Sequence, residues 1–224
     1  MIVVHHLNNS RSQRILWLLE ELGLDYEIKR YDRDPATMQA PSALRAIHPL
    51  GKSPVIVDGA TVVAETGAVI DYLIESYDNG RLAPAPGTDE HLRYRYWLHY
   101  AEGSAMPPLL MKLVFDRMSG SAMPFFLRPV ARMIAGKAIS GYVAPQIALH
   151  LDFMEAELAE RRWFAGGDFT AADIMMSFPI EAARARGGLD TDRPHLMAFL
   201  ESIHARECYR RAIERGGHYA LLGG

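Results

Sequence analysis

The polar side chains best placed to do chemistry in this sequence lie at the starts of two predicted helices. Ser10, followed by Gln13, fits the S-x-x-Q pattern of a helix-capping box. Glu65 and Thr66 open a second helix in the run VAETGAVIDYL. A helix start carries unpaired N–H groups and the positive end of the helix dipole, so it favours an anion. These residues therefore either cap their helices or bind a charged ligand.

The element that must position Glu65 and Thr66 is a hairpin followed by a helix, within the stretch 47–73. Two short β-branched runs flank an Asp58-Gly59 turn, which is a strong hairpin signal. Apolar residues then recur at helical spacing, one turn apart. The pattern predicts strands at 54–57 and 61–63 and a helix whose buried face carries Ile70, Leu73, Ile74 and Tyr77.

Pro54 opens the first of these strands, where a missing N–H does least harm. An X–Pro bond tolerates the cis form at modest cost, although trans is the commoner state. A cis bond would turn the backbone of Ser53 outward, where its N–H and C=O could pair with an extended peptide. The loop, the hairpin and the acidic residue that accompany Pro54 favour this second interpretation.

Ser10 is positioned by a strand and a helix. The strand begins at Ile2, and His5 and His6 end it. Neighbouring strand residues point to opposite faces, so this histidine pair is not expected to hold a metal. The following helix buries Ile15, Leu18, Leu19 and Leu22 and stops at Gly23.

The first third of the chain is predicted to be a compact thioredoxin-like α/β domain. A second strand covers 26–31, and a short helical or irregular segment lies between 35 and 47. The unit ends near Asp78, so we assign residues 1–78 to this domain and the Pro- and Gly-rich residues 79–87 to a linker.

Residues 88–224 show helical periodicity throughout and are predicted to form an all-helical domain. Leu92, Tyr96 and Tyr100 share one face of its first helix, and Pro107-Pro108 should bend or break that helix. A second helix is expected from about 124 to 161, interrupted near Gly141 or Pro145, and shorter ones at about 193–205 and 208–215. Thr170 and Asp173 fit a capping box with a structural role.

Composition narrows the function classes. The 224 residues are 49% hydrophobic and 23% charged, with a net charge of −3, which gives no case for nucleic acid or an anionic membrane. A single cysteine, Cys208, excludes an internal disulfide and a CxxC pair, and we expect it to be an inert thiol. We expect no signal peptide, no membrane span, no metal and a cytoplasmic location.

Three motifs in the expected order resemble one family, the cytosolic glutathione S-transferases. They are NNSRSQRILWLLEELGL, LGKSPVIVDG…VAETGAVIDYL and WFAGGDFTAADIMMSFPIEA, and the resemblance covers essentially the whole chain. The run HHLNNSRSQRILWLLEELGLDYEI is most similar to the bacterial and fungal branch with a serine-type active site.

The resemblance implies an enzyme that attacks a small hydrophobic electrophile with the thiolate of glutathione, with hydroperoxide reduction as a side activity. It implies a homodimer and a glutathione site made by Ser10, Lys52, Ser53, Pro54, Glu65 and Thr66. Ser10, with Arg14 four residues later, is the implied thiolate partner, and Ser12 and Asn9 are alternatives.

The electrophile pocket is harder to assign from sequence. The Met-rich helical segment suggests Tyr100, Ser104, Met106 and Met111, while Arg11 is either solvated or bound to a substrate carboxylate. The rival functions are a non-catalytic binding or regulatory protein of the same fold and a glutaredoxin-like oxidoreductase. The competent residues at the site disfavour the first, and the absence of a cysteine near Ser10 disfavours the second.

Overall fold

A computed structural model describes residues 1–34, 37–118 and 125–222. The N-terminal part contains a four-stranded sheet of order β2-β1-β3-β4. The strands are β1 (Ile2–Leu7), β2 (Tyr26–Tyr31), β3 (Val55–Asp58) and β4 (Thr61–Ala64). Strand β1 runs parallel to β2 and antiparallel to β3, and β3 pairs antiparallel with β4. The mixed sheet is that of a thioredoxin-like domain.

Two helices complete this part of the molecule. Helix α1 (Ser12–Leu22) ends at Gly23, whose φ of 70° is left-handed as the predicted stop requires. Helix α2 (Thr66–Tyr77) follows β4 directly. The hairpin was predicted correctly, but its two loop residues are Gly59 and Ala60, because Asp58 pairs with Thr61. The segment between 35 and 47 contains a short 3₁₀ helix, Ser42–Ala46.

The rest of the described chain is helical. Its helices are α3 (Asp89–Tyr100), α4 (Met106–Met118), α5 (Arg128–Ala138), α6 (Ala144–Glu160), α7 (Ala171–Ala182), α8 (Pro194–His204) and α9 (Glu207–Gly216). No helix or strand occupies residues 78–88. The predicted start of the second helix, at about residue 124, lies outside the described residues.

Three π-helical segments occur in the described chain. Ala101–Ala105 joins α3 to α4, Ile139–Val143 joins α5 to α6, and Ala183–Gly187 continues α7. The sequence predicted that Pro107-Pro108 bends or breaks the helix, and the irregularity lies in the first of these segments, directly before the prolines. The two prolines lie in the first turn of α4, where a missing N–H is tolerated, and the wider π turn before them absorbs the irregularity. The predicted interruption near Gly141 is confirmed as the second segment.

The core is continuous between the sheet domain and the helices. Helix α1 has nine of its eleven residues buried, because it packs against the sheet on one side and α7 and α9 on the other. Every residue of α7 is buried, including Asp173. The capping box of Thr170 and Asp173 is present as predicted, and the Asp173 carboxylate also accepts the Phe164 N–H at 2.9 Å.

Of the three residues predicted to share one face of α3, only Tyr100 is buried. Leu92 is 70% exposed and Tyr96 is 48% exposed, whereas the buried residues of the helix include Trp97 and Leu98. Helix α3 packs against α7, and that contact selects a different face from the one chosen by aromatic spacing.

Candidate functional site

A cleft lies where the sheet domain meets the helical part of the chain. It brings together five of the residues proposed from sequence: Lys52, Ser53, Pro54, Glu65 and Thr66. The remaining wall is formed by His48, Leu50, Ala64, Arg11 and Glu102. The first four of these residues belong to the sheet domain, and Glu102 belongs to the π turn before α4.

The loop at the floor of this cleft has a cis peptide bond between Ser53 and Pro54, as the family resemblance implied. The Ser53 hydroxyl donates to the carbonyl of His5 at 2.9 Å and lies 3.3 Å from the backbone nitrogen of Leu7, which donates to it. The side chain of Ser53 is therefore used to hold the loop against β1. Any contact of this residue with a ligand falls to its backbone.

Glu65 does not cap helix α2. Its side chain makes no capping hydrogen bond, it is exposed, and its backbone has a φ of 73°. A left-handed conformation is rare for a residue other than glycine and costs about 1–3 kcal/mol, which is typical of functional sites. The purely structural interpretation of Glu65 is thereby weakened, because the residue is held in a costly conformation and leaves its carboxylate at the cleft.

Thr66 is the first residue of α2 and is buried. Its hydroxyl oxygen accepts a long hydrogen bond of 3.4 Å from the guanidinium of Arg14. The backbone of Thr66 belongs to the helix start, where unpaired N–H groups favour an anion.

Ser10 lies beside the cleft but does not line it, and only 4% of the residue is exposed. The capping box proposed for it does not form: α1 begins at Ser12, and its N-cap residue is Arg11, whose side chain makes no capping hydrogen bond. The Ser10 hydroxyl does accept the backbone N–H of Ser12 at 3.3 Å. Instead the Ser10 hydroxyl lies 2.7 Å from that of Ser12, which in turn lies 2.8 Å from Nδ1 of His6. Both serines therefore belong to a buried chain of hydrogen bonds.

His6 ends this chain as a neutral ring. Burial, followed by the charge of Arg30, lowers its pKa to about 4, although a hydrogen bond to the Gly216 backbone acts in the opposite direction. Asn9, the third alternative, is engaged elsewhere: its side-chain oxygen accepts the backbone N–H of Ala220 at 2.7 Å. Asn9 also has a left-handed φ of 49°.

Sequence reasoning missed the ion cluster that joins the two parts of the chain. Arg14 is 2% exposed and donates to the Met175 carbonyl at 2.7 Å and to a carboxylate oxygen of Glu102 at 2.5 Å. Arg11 donates to the same carboxylate at 2.9 and 3.0 Å. Burial alone would raise the pKa of Glu102, but the two guanidinium groups outweigh it and hold the pKa below its ordinary value. The only available signal was an acidic residue within a small-residue turn before two prolines.

The four residues suggested for an electrophile pocket do not line this cleft. Tyr100 and Met106 are buried, and the Tyr100 hydroxyl lies 2.6 Å from Nδ1 of His150. Met111 is 38% exposed on α4, and Ser104 is half-buried in the π turn. Their assignment to the pocket stays a prediction.

Neither metal binding nor membrane insertion finds support in the described ranges. In residues 1–34, 37–118 and 125–222, no three or more His, Cys, Asp and Glu side chains are arranged to hold a metal ion. Across the same part of the chain, no helix has the length and apolar character that crossing a membrane demands.

A thioredoxin-like sheet domain, packed on a helical domain with a polar cleft at their boundary, defines the fold class of the glutathione transferases. Comparison with known proteins agrees: residues 10–76 match the family model of the glutathione S-transferase N-terminal domain, and residues 138–202 match that of the C-terminal domain. The chain belongs to the glutathione S-transferase family, and it is a glutathione transferase enzyme.

Individual relatives cover nearly the whole chain. It is 41% identical to glutathione S-transferase 3 of Schizosaccharomyces pombe, over 96% of this chain and 88% of that protein. It is 34% identical to glutathione S-transferase 1 of Saccharomyces cerevisiae, over 96% and 95%. The crystal structure of a glutathione S-transferase from Actinobacillus pleuropneumoniae is 36% identical, with a TM-score of 0.84 and coverage of 100% and 97%.

Proposed function

We propose that the enzyme holds glutathione in the cleft and transfers it to a small electrophile, with a serine hydroxyl as the thiolate partner. The observation that carries the proposal is the convergence of Lys52, Ser53, cis-Pro54, Glu65 and Thr66 on one cleft. These residues are separated by up to fourteen positions in sequence, and together they offer the charged side chains and the free backbone groups that a charged tripeptide requires.

Each part of glutathione has a partner in this arrangement. The carboxylate of Glu65 pairs with the γ-glutamyl ammonium, and the start of α2 at Thr66 receives the γ-glutamyl carboxylate. The backbone of Ser53 pairs with the cysteinyl peptide unit, as one strand pairs with another. Lys52, which lines the cleft, binds the glycyl carboxylate or the peptide carbonyl.

The chemical step needs the thiol of glutathione as an anion. An unperturbed thiol has a pKa of about 8.5, and lowering it by about 2 units takes about 2.7 kcal/mol of thiolate stabilisation. The Ser10 hydroxyl and the start of α1 together supply a donor and a favourable dipole. The thiol proton leaves to solvent, the sulfur attacks the electrophilic carbon, and the leaving group departs with the electron pair of the broken bond.

This mechanism requires a change in the orientation of the Ser10 hydroxyl. In the resting chain the Ser10 hydroxyl faces Ser12, so it must rotate towards the sulfur when glutathione binds. The buried His6 favours the resting orientation because a neutral ring nitrogen accepts from Ser12. The same thiolate is also proposed to reduce hydroperoxides as a side activity.

The test is a titration of bound glutathione that follows thiolate absorbance against pH in wild type, Ser10→Ala and Ser12→Ala. We expect Ser10→Ala to raise the pKa of the bound thiol by about 1–2 units, as the loss of one charge-assisted hydrogen bond requires. Ser12→Ala frees the Ser10 hydroxyl, so it should leave that pKa unchanged or lower it.

Four outcomes would contradict the proposal. An equal thiol pKa in wild type and Ser10→Ala would remove Ser10 as the activator, and a rise confined to Ser12→Ala would transfer the role to Ser12. Calorimetry showing no heat with millimolar glutathione would end the assignment of the cleft. Binding with an unperturbed thiol pKa in wild type would instead indicate a non-catalytic binding protein.

We further propose a homodimer in the cytoplasm. The exposed apolar residues Leu92 and Tyr96 on α3 and Val62 on β4 support a second copy as their cover. The single thiol, Cys208, suits a reducing compartment. Light scattering after size exclusion checks the first point, with a mass near 50 kDa expected from the 25.0 kDa chain and a mass of one chain contradicting it.

A further inference from the structure

The segment that follows α9 folds back onto the loop that carries Ser10. It covers residues 217–222, which we call the tail, and it ends in the 3₁₀ turn Ala220–Leu222. Its direction is set at Gly217, whose φ of 81° favours glycine. The 3₁₀ turn packs against α7 and against the π segment Ala183–Gly187, so the tail is attached to the helical domain.

One hydrogen bond joins the tail to the Ser10 loop. The backbone N–H of Ala220 donates to the side-chain oxygen of Asn9 at 2.7 Å. Asn9 directly precedes Ser10, and its left-handed φ of 49° is uncommon for any residue other than glycine. Because that conformation sets the direction in which the chain enters Ser10, a contact that restrains Asn9 also restrains Ser10.

Tyr219 anchors the tail one residue before this hydrogen bond. The residue is 6% exposed, and its hydroxyl donates to Oε2 of Glu181 at 2.8 Å. Glu181 is buried in α7 and also accepts the hydroxyl of Tyr209, on α9, at 2.5 Å. A hydrogen bond to a buried carboxylate is stronger than one between neutral groups, so Tyr219 gives the tail a firm attachment to the core.

The helix that leads into the tail is fixed to α1, the helix that follows Ser10. The carboxylate of Glu20 on α1 accepts from Arg211 and Arg215 on α9, each at 2.8 Å. At the end of α9, a side chain on Gly216 would collide with the side chain of Gln13, in the first turn of α1. The Ser10 loop therefore has α9 and the tail against the residues on both sides of it.

We propose that Tyr219 is a positioning residue for catalysis, which holds the Ser10 hydroxyl within reach of the glutathione sulfur through the Ala220–Asn9 hydrogen bond. This inference rests on the proposed function and adds to it a residue that does not line the cleft. Positioning of this kind matters because a displacement of about 1 Å at a reacting group can cost on the order of 100-fold in rate.

The effect of the tail falls on turnover rather than on the binding of glutathione. The hydrogen bonds of the tail reach Asn9 and Glu181, not the residues proposed to bind the tripeptide, which are Lys52, Glu65 and Thr66. Loosening the tail should therefore leave the KM for glutathione near its wild-type value, while kcat falls and the pKa of the bound thiol rises.

The experiment compares Tyr219→Phe with Tyr209→Phe as a matched control, assayed below the pKa of the bound thiol. Both substitutions remove one hydroxyl from Glu181, and both side chains are buried, but only Tyr219 adjoins the residue that bonds Asn9. We expect Tyr219→Phe to raise the pKa of the bound thiol by about 0.5–1 unit and to lower kcat about threefold to tenfold, because less thiolate is present. The control should change neither quantity.

A second substitution, Asn9→Gly, tests the route from the tail to Ser10. It removes the acceptor of the Ala220 N–H and keeps a residue that adopts a left-handed φ freely. If Tyr219 acts through Asn9, adding Tyr219→Phe to Asn9→Gly should lower kcat by less than about twofold. Hydrogen exchange at the Ala220 amide gives a readout independent of activity, and we expect exchange about tenfold or more faster in either variant than in wild type.

The outcomes separate the inference from the function on which it rests. Unchanged kcat and thiol pKa in Tyr219→Phe, despite faster exchange at Ala220, would overturn the inference, as would an equal loss in Tyr209→Phe. Independent, multiplying losses in the double variant would show that Tyr219 does not act through Asn9 and would also overturn it. If Tyr219→Phe does not fold, wild-type kcat in Asn9→Gly would do the same. No turnover and no heat with glutathione in wild type would instead remove the proposed function, whatever the exchange at Ala220.

Discussion

The Glu102→Gln substitution tests whether one carboxylate holds the two parts of the chain together. Glu102 lies in the π turn before α4, and its partners Arg14 and Arg11 belong to the sheet domain. The Arg14 side chain is 1% exposed, so it has no access to water if the carboxylate is lost. The substitution leaves its shape almost unchanged and removes only the charge.

The magnitude follows from the burial of each partner. Breaking a fully buried ion pair by removing one partner costs about 3–5 kcal/mol, because the other charge is left uncompensated. The side chain of Glu102 is 32% exposed and glutamine keeps one acceptor oxygen, so we expect about 2–3 kcal/mol. In a protein of this size, 1 kcal/mol corresponds to about 2–4 °C in Tm, which gives a loss of roughly 5–10 °C.

The pH dependence gives an independent check of the same carboxylate. Its pKa is lower in the folded protein than in the unfolded chain. Its contribution to stability is therefore present above the unfolded pKa of about 4.3 and is lost as pH falls through the folded value. The difference in unfolding free energy between wild type and Glu102→Gln should be constant near neutral pH and shrink below about pH 4.3.

The matched control is Arg11→Gln, which removes the other partner of the same carboxylate. The Arg11 side chain is 34% exposed, so its loss should cost no more than about 1 kcal/mol. Thermal and urea unfolding of the three proteins measure both effects. A Tm for Glu102→Gln within 2 °C of wild type, or a larger loss for Arg11→Gln, would refute the account of a buried arginine that depends on Glu102.

Three further substitutions test other parts of the fold. Asp173→Ala removes a fully buried carboxylate that accepts the backbone N–H groups of Phe164 and Thr170. Chemical unfolding should show that the free energy of unfolding falls by about 3 kcal/mol. Unchanged stability would contradict a folding role for Asp173. Burial lowers the pKa of His6 in the folded protein to about 4, so the contribution of the neutral ring to stability is present above pH 6.5 and is lost as pH falls towards 4. Over that interval the unfolding free energy of wild type should fall by about 3 kcal/mol relative to that of His6→Gln. Parallel pH profiles for the two proteins would refute this. Gly216→Ala would force a methyl group against Gln13 and should lower the free energy of unfolding by about 1–3 kcal/mol. The same change at Gly136, a helical glycine with open space around it, should raise that free energy by about 0.5–1 kcal/mol. Equal Tm values for the two variants would refute the contact at Gly216.

The elements that sequence predicted well are those defined by local rules. Strand β2 has the predicted bounds, α1 stops at Gly23, and the Thr170–Asp173 capping box forms. Periodicity, a glycine stop and a capping pair each involve residues only a few positions apart. Chain geometry therefore brings them together before any tertiary contact forms.

The residues that the sequence motifs of the sheet domain singled out also lie together in the structure. The loop, the cis bond before Pro54 and the helix start at Glu65 and Thr66 meet at one cleft because a short hairpin connects them. A tight β3–β4 turn leaves little freedom in where the helix can begin. The meeting of these residues at one cleft was therefore accessible from sequence once the family resemblance was recognised.

The environment of Ser10 and the identity of Glu102 were decided only by the tertiary structure. Nothing near Ser10 in sequence shows that its hydroxyl faces Ser12 in a chain that ends on His6. Glu102 is 88 positions from Arg14, and no local pattern joins a buried arginine to an acid so far away.

The sequence by itself determined the family, the order of the elements and the residues that meet at the cleft, because these depend on periodicity, turn chemistry and motifs of short span. The tertiary structure alone decided which face of α3 is buried and which carboxylate neutralises Arg14. Those features depend on how distant helices pack, and packing sums many weak contacts between residues that no local sequence pattern links.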